Sequence, residues 1–174
     1  MLLNEKDTRK ENILQAAKQM MTAARTAPKT KGADFLEIAV VADDEKERIS
    51  KTLVEMYEEN NGPAFFLRDS NSVQQAEAIV LIGVHAKNRG LNCGYCGFPS
   101  CGEKPENASC VFNSIDVGIA IGSACAAAAD LRVDTRTMYS AGVAALRLNM
   151  LEGATNIFAI LLSVSSKNPF FDRS

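Results

Sequence analysis

Four cysteines, Cys93, Cys96, Cys101 and Cys110, fall within eighteen residues in the spacing C-x2-C-x4-C-x8-C, while Cys125 stands apart. Gly90, Gly94, Gly97, Gly102, Pro99 and Pro105 share that stretch. His85–Asn113 therefore reads as a long loop inserted between regular elements. A loop of this length in a compact domain is either functional or disordered. The strong strand before it and the strong helix after it argue against disorder.

An odd number of cysteines does not suit a disulfide framework. The opening MLLNEKDTRKEN has no apolar core of the kind a secretory signal needs. The expectation is a cytoplasmic protein in which closely spaced thiols bind metal or do redox chemistry. A disulfide alternative would pair Cys93 or Cys96 with Cys101 or Cys110 in small loops and leave Cys125 single.

A cubane cluster needs four thiolates arriving from different directions. A C-x2-C turn supplies two, and the next turns supply the others. Glycine directly follows both Cys93 and Cys96; it permits positive φ and lets backbone amides point at sulfur. Structural zinc is the main rival, since zinc sites also use C-x2-C pairs. They usually show a second pair or downstream histidines, whereas here the later cysteines are single and His85 lies upstream. The spacing points to [4Fe–4S] on Cys93, Cys96, Cys101 and Cys110, with [2Fe–2S] also compatible with four thiolates.

Around the loop, apolar periodicity predicts a helix over 5–25, with Ile13, Ala16, Ala17, Met20, Met21 and Ala24 on one face and Pro28 beyond its end. A strand follows at Asp34–Val41. A helix opening at Asp43-Asp44 carries Ile49, Leu53 and Tyr57, and Gly62-Pro63 closes it. Pro63–Leu67 reads as a short strand, Asn71–Ala76 as a polar helix or turn, and Ala78–Val84 (AIVLIGV) as a buried strand. After the loop, Ser114 is the expected cap of a helix with Asp116 in its first turn. That helix is apolar almost all round and is expected to be buried. Gly118, Gly122 and Ala126 form a small-residue stripe on it, suited to tight packing inside the monomer or to a homodimer interface. A helix near Ala141–Leu151 and a strand from Asn156 complete the pattern.

The chain has 174 residues, 47% of them apolar, and a formal charge of −2. That is enough for a single domain, 1–174, with a real core. The balanced charge argues against nucleic acid or an anionic membrane as main partner. The longest nearly continuous apolar run, Ile157–Val164, is too short to span a bilayer. Rossmann and P-loop glycine patterns, a G-x-S-x-G elbow and a zinc-protease helix do not occur, and one histidine leaves little room for a histidine-based triad. Cys125 reads as a small buried residue on an apolar helix, with a role as an alternative ligand or redox partner as the other reading. His85 reads as a strand-terminal polar residue, with a role beside the cluster as the alternative.

LNCGYCGFPSC resembles the C-G-x-C-G-x-x-x-C cluster signature of iron–sulfur domains in corrinoid, CO dehydrogenase/acetyl-CoA synthase and some electron-transport systems. Those domains keep their fourth cysteine further downstream than Cys110. The whole chain resembles a prokaryotic family of ferredoxin-domain-containing proteins of unknown function, through AARTAPK, NCGYCGFPSC, DVGIAIGSA and KNPFFDR. A second resemblance, to nitroreductase-family flavoproteins, is carried by Ala24-Arg25-Thr26-Ala27-Pro28, by DVGIAIGSACAAAADL and by the closing strand with Lys167 and Arg173. It implies an α+β three-layer sandwich, a sheet flanked by helices, with the cysteine loop inserted. It also implies FMN, with Arg25, Lys29, Lys31, Lys167 and Arg173 as candidates for its phosphate. Lys29–Asp34 replaces the polar turn that touches the flavin ring in those proteins.

The expected function is [4Fe–4S] electron transfer, with electrons passing to a flavin on a homodimer and a protein or small molecule as redox partner. The alternatives are a cluster-bearing sensing or binding module without flavin, and a structural zinc protein.

Overall fold

The computed structural model describes residues 1–59 and 62–171. The elements are α1 (Glu5–Thr26), β1 (Leu36–Val41), α2 (Asp43–Glu59), α3 (Phe65–Gln75), β2 (Ala78–Val84), α4 (Val111–Asp130), β3 (Asp134–Met138), α5 (Tyr139–Arg147) and β4 (Asn156–Ser163). The strands form one sheet in the order β1-β2-β4-β3, and each neighbouring pair is antiparallel.

Every residue of β2 is buried, because the strand has a partner on each edge and helices on each face. Successive side chains of a strand point to opposite faces. Ala78, Val80, Ile82 and Val84 accordingly pack with Ile160 and Leu162 against α1 and α4. Ile79 and Leu81 pack with Ala159 and Leu161 against α2, α3 and α5. The result is the expected α+β three-layer sandwich, with the cysteine segment inserted between β2 and α4.

Three local expectations are corrected, one is met as a helix end, and one strand was not anticipated. Pro63–Leu67 is not a strand: it runs into α3, and the Phe66 amide donates to the Pro63 carbonyl at 2.9 Å. Phe66, Asp69, Ser70 and Val73 are its buried positions, a helical step that a five-residue apolar window is too short to reveal. Asn71–Ala76 is the end of that helix and its C-cap. The strand β3, DTRTM, is an edge strand that buries only Met138, so apolar periodicity gave no signal for it. The helix α4 starts at Val111 with Cys110 as its N-cap, which ends the loop at Cys110 and moves Asp116 into the second turn. Finally, α5 stops at Arg147, short of Leu151.

The apolar helix α4 is buried on one face only. Asp116, Val117, Ala120, Ala124 and Ala128 face inward, while Gly118, Gly122 and Ala126 are exposed. A Cβ added at Gly118 or Gly122 would meet nothing within 4 Å. The stripe therefore does not serve packing within the monomer. By length and composition α4 could cross a membrane, but here its inner face is part of the core against α1 and the sheet.

Close approach is instead spent at Gly142, where an added Cβ would lie 1.9 Å from the Ile157 carbonyl oxygen. That contact is with backbone, so α5 would have to move off β4. Gly142→Ala is expected to destabilise the fold by about 3 kcal/mol, measured as a shift in the denaturant midpoint at unchanged m-value.

Candidate functional site

The cysteine segment leaves the sheet at His85. Its ring Nδ1 lies 2.9 Å from the Gly153 carbonyl and its Nε2 lies 3.2 Å from Glu37. His85 thus ties the end of β2 to its neighbours, in keeping with a strand-terminal role, and it does not line the cysteine cavity described below.

Beyond it, the backbone takes positive φ at Gly90, Asn92, Gly94 and Gly97. Left-handed geometry of this kind is inexpensive for glycine and tolerated by asparagine. At Gly94 and Gly97 it builds the tight turn around Cys96, closed by the Gly97 amide donating to the Gly94 carbonyl at 2.9 Å. Asn92 then locks the first cysteine turn to the third cysteine. Its side-chain oxygen accepts from the Cys101 amide at 2.9 Å, and its own amide donates to Cys101 Sγ at 3.4 Å. Lys104 donates to the Ala108 carbonyl, which holds the return path to Cys110.

All five cysteines are free thiols. Cys93, Cys96, Cys101 and Cys110 line a single narrow cavity, closed by Leu91, Phe98 and Phe112. Tyr95 stacks on Phe112 with ring centroids 5.9 Å apart. Cys110 is buried and begins α4, so the positive end of that helix lies beside the thiols. Backbone donors and a helix N-terminus favour thiolate-bound, negatively charged groups, while the apolar wall limits access of water. Cys125 lies elsewhere, half-buried on α4 with its sulfur 3.8 Å from Thr137 Oγ1.

A buried ion pair anchors this loop. Arg89 Nη2 donates to Asp116 Oδ2 at 2.5 Å, and both side chains are 1% exposed. Arg89 Nη1 donates to the Ala33 carbonyl at 2.5 Å, and Asp116 Oδ1 accepts from both the amide and the hydroxyl of Thr30. The Arg89 guanidinium also lies over the Phe35 ring, 4.2 Å from its centroid. Asn113, one turn before Asp116, donates to the Lys87 carbonyl at 3.1 Å. The loop, the turn after α1 and the start of α4 are thereby held together. Sequence reading missed Arg89, Asn92 and Asn113 and took Asp116 for a dipole partner. A carboxylate inside an otherwise apolar helix, well before Asp130 at its end, was the available signal, because a buried charge requires a partner.

The candidate phosphate residues are placed as follows. Arg25 pairs with Asp34 at 2.7 Å and donates to the Leu36 carbonyl. Burial would raise the Asp34 carboxyl, but hydrogen bonds from Arg25 and the Leu36 amide, with the charges of Arg25 and Lys29, hold it below the usual carboxylate range. Lys29 Nζ donates to the carbonyls of Ala24, Arg25 and Ala27 and so caps α1. Burial holds its ammonium below the ordinary lysine range. Lys31 Nζ donates to the Arg89 carbonyl at 3.3 Å. The Lys167 carbonyl accepts from the Ser165 hydroxyl, and Arg173 lies outside the described residues.

An uncharacterized protein of Archaeoglobus fulgidus is 45% identical over 184 residues, covering 100% of this chain and 98% of its own length. Residues 106–173 match the family described as an uncharacterized protein containing a ferredoxin domain. The chain belongs to that family. The matched span contains Cys110 and α4 but begins after Cys101. Among solved structures, a nitroreductase with bound FMN from Desulfitobacterium hafniense superposes with TM-score 0.63 at 14% identity, covering 88% of this chain and 78% of that one. The FMN-dependent nitroreductase NfnB of Mycobacterium smegmatis, in complex with NADPH, gives TM-score 0.62 at 10% identity over 88% and 78%. The hypothetical oxidoreductase YcnD of Bacillus subtilis gives 0.58 at 20% identity over 88% and 58%. The ferredoxin-domain protein thus has a nitroreductase-like fold.

Truncating Asp116 would leave a fully buried guanidinium without its counter-charge. Asp116→Ala is expected to cost about 3–5 kcal/mol of stability. The check is chemical denaturation, in which a double replacement of Arg89 and Asp116 by apolar residues should recover a large part of the loss.

Proposed function

We propose that this chain is a redox protein whose Cys93, Cys96, Cys101 and Cys110 hold a [4Fe–4S] cluster. The observation that carries the reading is the convergence of four free thiols on one cavity, three from a glycine-turned loop and one from the N-cap of α4. Membership of a ferredoxin-domain family points the same way, to redox chemistry. When bound, such a cluster supplies one-electron transfer. The chain's part is to orient the thiolates, to direct the Asn92 amide at Cys101 and to shield the cavity with apolar side chains. Structural zinc is the weaker reading, since zinc sites usually add a second C-x2-C pair or downstream histidines, whereas Cys101 and Cys110 are single and His85 lies upstream.

We place the protein in the cytoplasm as a single domain, passing electrons to FMN and onward to a protein or small-molecule acceptor. The flavin proposal draws on the FMN in the Desulfitobacterium neighbour, with its phosphate assigned to the basic set Arg25, Lys29, Lys31, Lys167 and Arg173. A specific observation favours the second reading, a cluster-bearing sensing module without flavin: Arg25 and Lys29 already have carboxylate and carbonyl partners. A phosphate would have to displace them.

Anaerobically reconstituted protein is expected to be brown, with about four iron and about four sulfide per chain. Cys101→Ser should lose most of both, while Cys125→Ser retains them. One zinc per chain without sulfide would overturn the cluster. Stoichiometric FMN binding by the loaded protein would decide for the flavin reading, and its absence for the sensing module.

The exposed stripe of α4 supports a homodimer. Gly118 and Gly122 leave room for a close backbone approach, and Ile115 and Ile119 beside them are exposed at 41% and 40%. Gly122→Leu is expected to convert the dimer to a folded monomer by light scattering, with melting of the monomer unchanged. A wild-type monomer would refute this assignment.

A further inference from the structure

Arg89 is a buried charge at the border of the cysteine cavity, and ion pairing does not use all of it. Its guanidinium reaches Asp116 and Ala33 through Nη2 and Nη1, while Nε–H has no hydrogen-bond partner among the described residues. Arg89 lines the same cavity as the four cysteines; Asp116, its counter-charge, does not. Arg89 is thus the member of the pair whose residue borders the cavity, and its charge sits one side chain away from it. A buried cation and a spare N–H donor both stabilise added negative charge, and do so more strongly away from water.

We propose that Arg89 sets the reduction potential of the cluster, raising it by favouring the reduced, more negative state. This rests on the cluster reading above. The reaction concerned would be a one-electron reduction, in which a reduced viologen mediator gives up one electron to a cluster held by the four thiolates. No bond is made or broken and no proton is taken up. Arg89 is a positioning residue here, acting on the electrostatics of the cavity and not as a ligand. Asp116 moderates it by neutralising part of its charge.

The test uses the full chain, reconstituted anaerobically with iron and sulfide and titrated with viologen mediators. Asp116→Asn keeps an oxygen for Thr30 but removes the counter-charge, and should raise the reduction equilibrium constant at least tenfold, about 59 mV. The double variant Arg89→Gln/Asp116→Asn leaves no buried charge unpaired and should lower it at least tenfold relative to wild type. Thermal melting of both variants verifies folding. A purely structural Arg89 would alter cluster retention and melting in both variants without opposite shifts in potential. Shifts of the same sign, or below twofold, with clusters fully loaded overturn the Arg89 proposal alone. Wild-type protein without iron and sulfide overturns the cluster reading, and this one with it.

Discussion

Arg89 and Asp116 face each other with both side chains almost wholly removed from water, and three separate parts of the chain meet at that contact. Desolvating two ions is costly, so such a pair needs further hydrogen bonds to most of each group. Thirty residues from the start, Thr30 supplies two donors to Asp116; Ala33 supplies a carbonyl to Arg89. The turn after α1, the entry to the cysteine loop and the second turn of α4 thus share one electrostatic anchor. Without it the loop would have few ties to the sandwich, because its own hydrogen bonds are mostly internal.

That anchor explains how a glycine-rich segment holds four thiols about one cavity. Cys110 is fixed as the first residue outside α4, and Arg89 fixes the other end of the segment four residues before Cys93. Between them, Asn92 joins the first turn to Cys101 through two hydrogen bonds. The rigid sandwich bears the energetic burden of folding, and the loop is free to be built for ligands. The same division leaves the outer face of α4 without a partner inside the monomer, although its sequence is as apolar as the inner face.

Much of the architecture was legible in the sequence. The AIVLIGV run of β2 has no polar side chain and could only be a buried strand. The face of α1 built on Ile13, Ala17, Met20 and Ala24 emerged at helical spacing and is the buried face. Cys93, Cys96, Cys101 and Cys110 were grouped from spacing alone, and they line a common cavity. The failures have physical causes. In β3 a half-exposed edge strand carries no alternation to detect. In α3 a phenylalanine pair next to a proline mimics a strand until the later turn with Val73 is counted.

By itself the sequence determined which segments are apolar at which period and how the thiols are spaced, since both are local properties of the chain. It could not decide what a side chain meets across long sequence separations. Thr30 and Asp116 are 86 positions apart, and Arg89 and Ala33 are 56 apart; only the fold brings them together. The tertiary structure alone decided that Arg25 and Lys29 spend their charges within the protein, and that Gly118 and Gly122 face outward while Gly142 lies against β4. Composition gives each of these residues a chemistry. Packing determines where that chemistry is used.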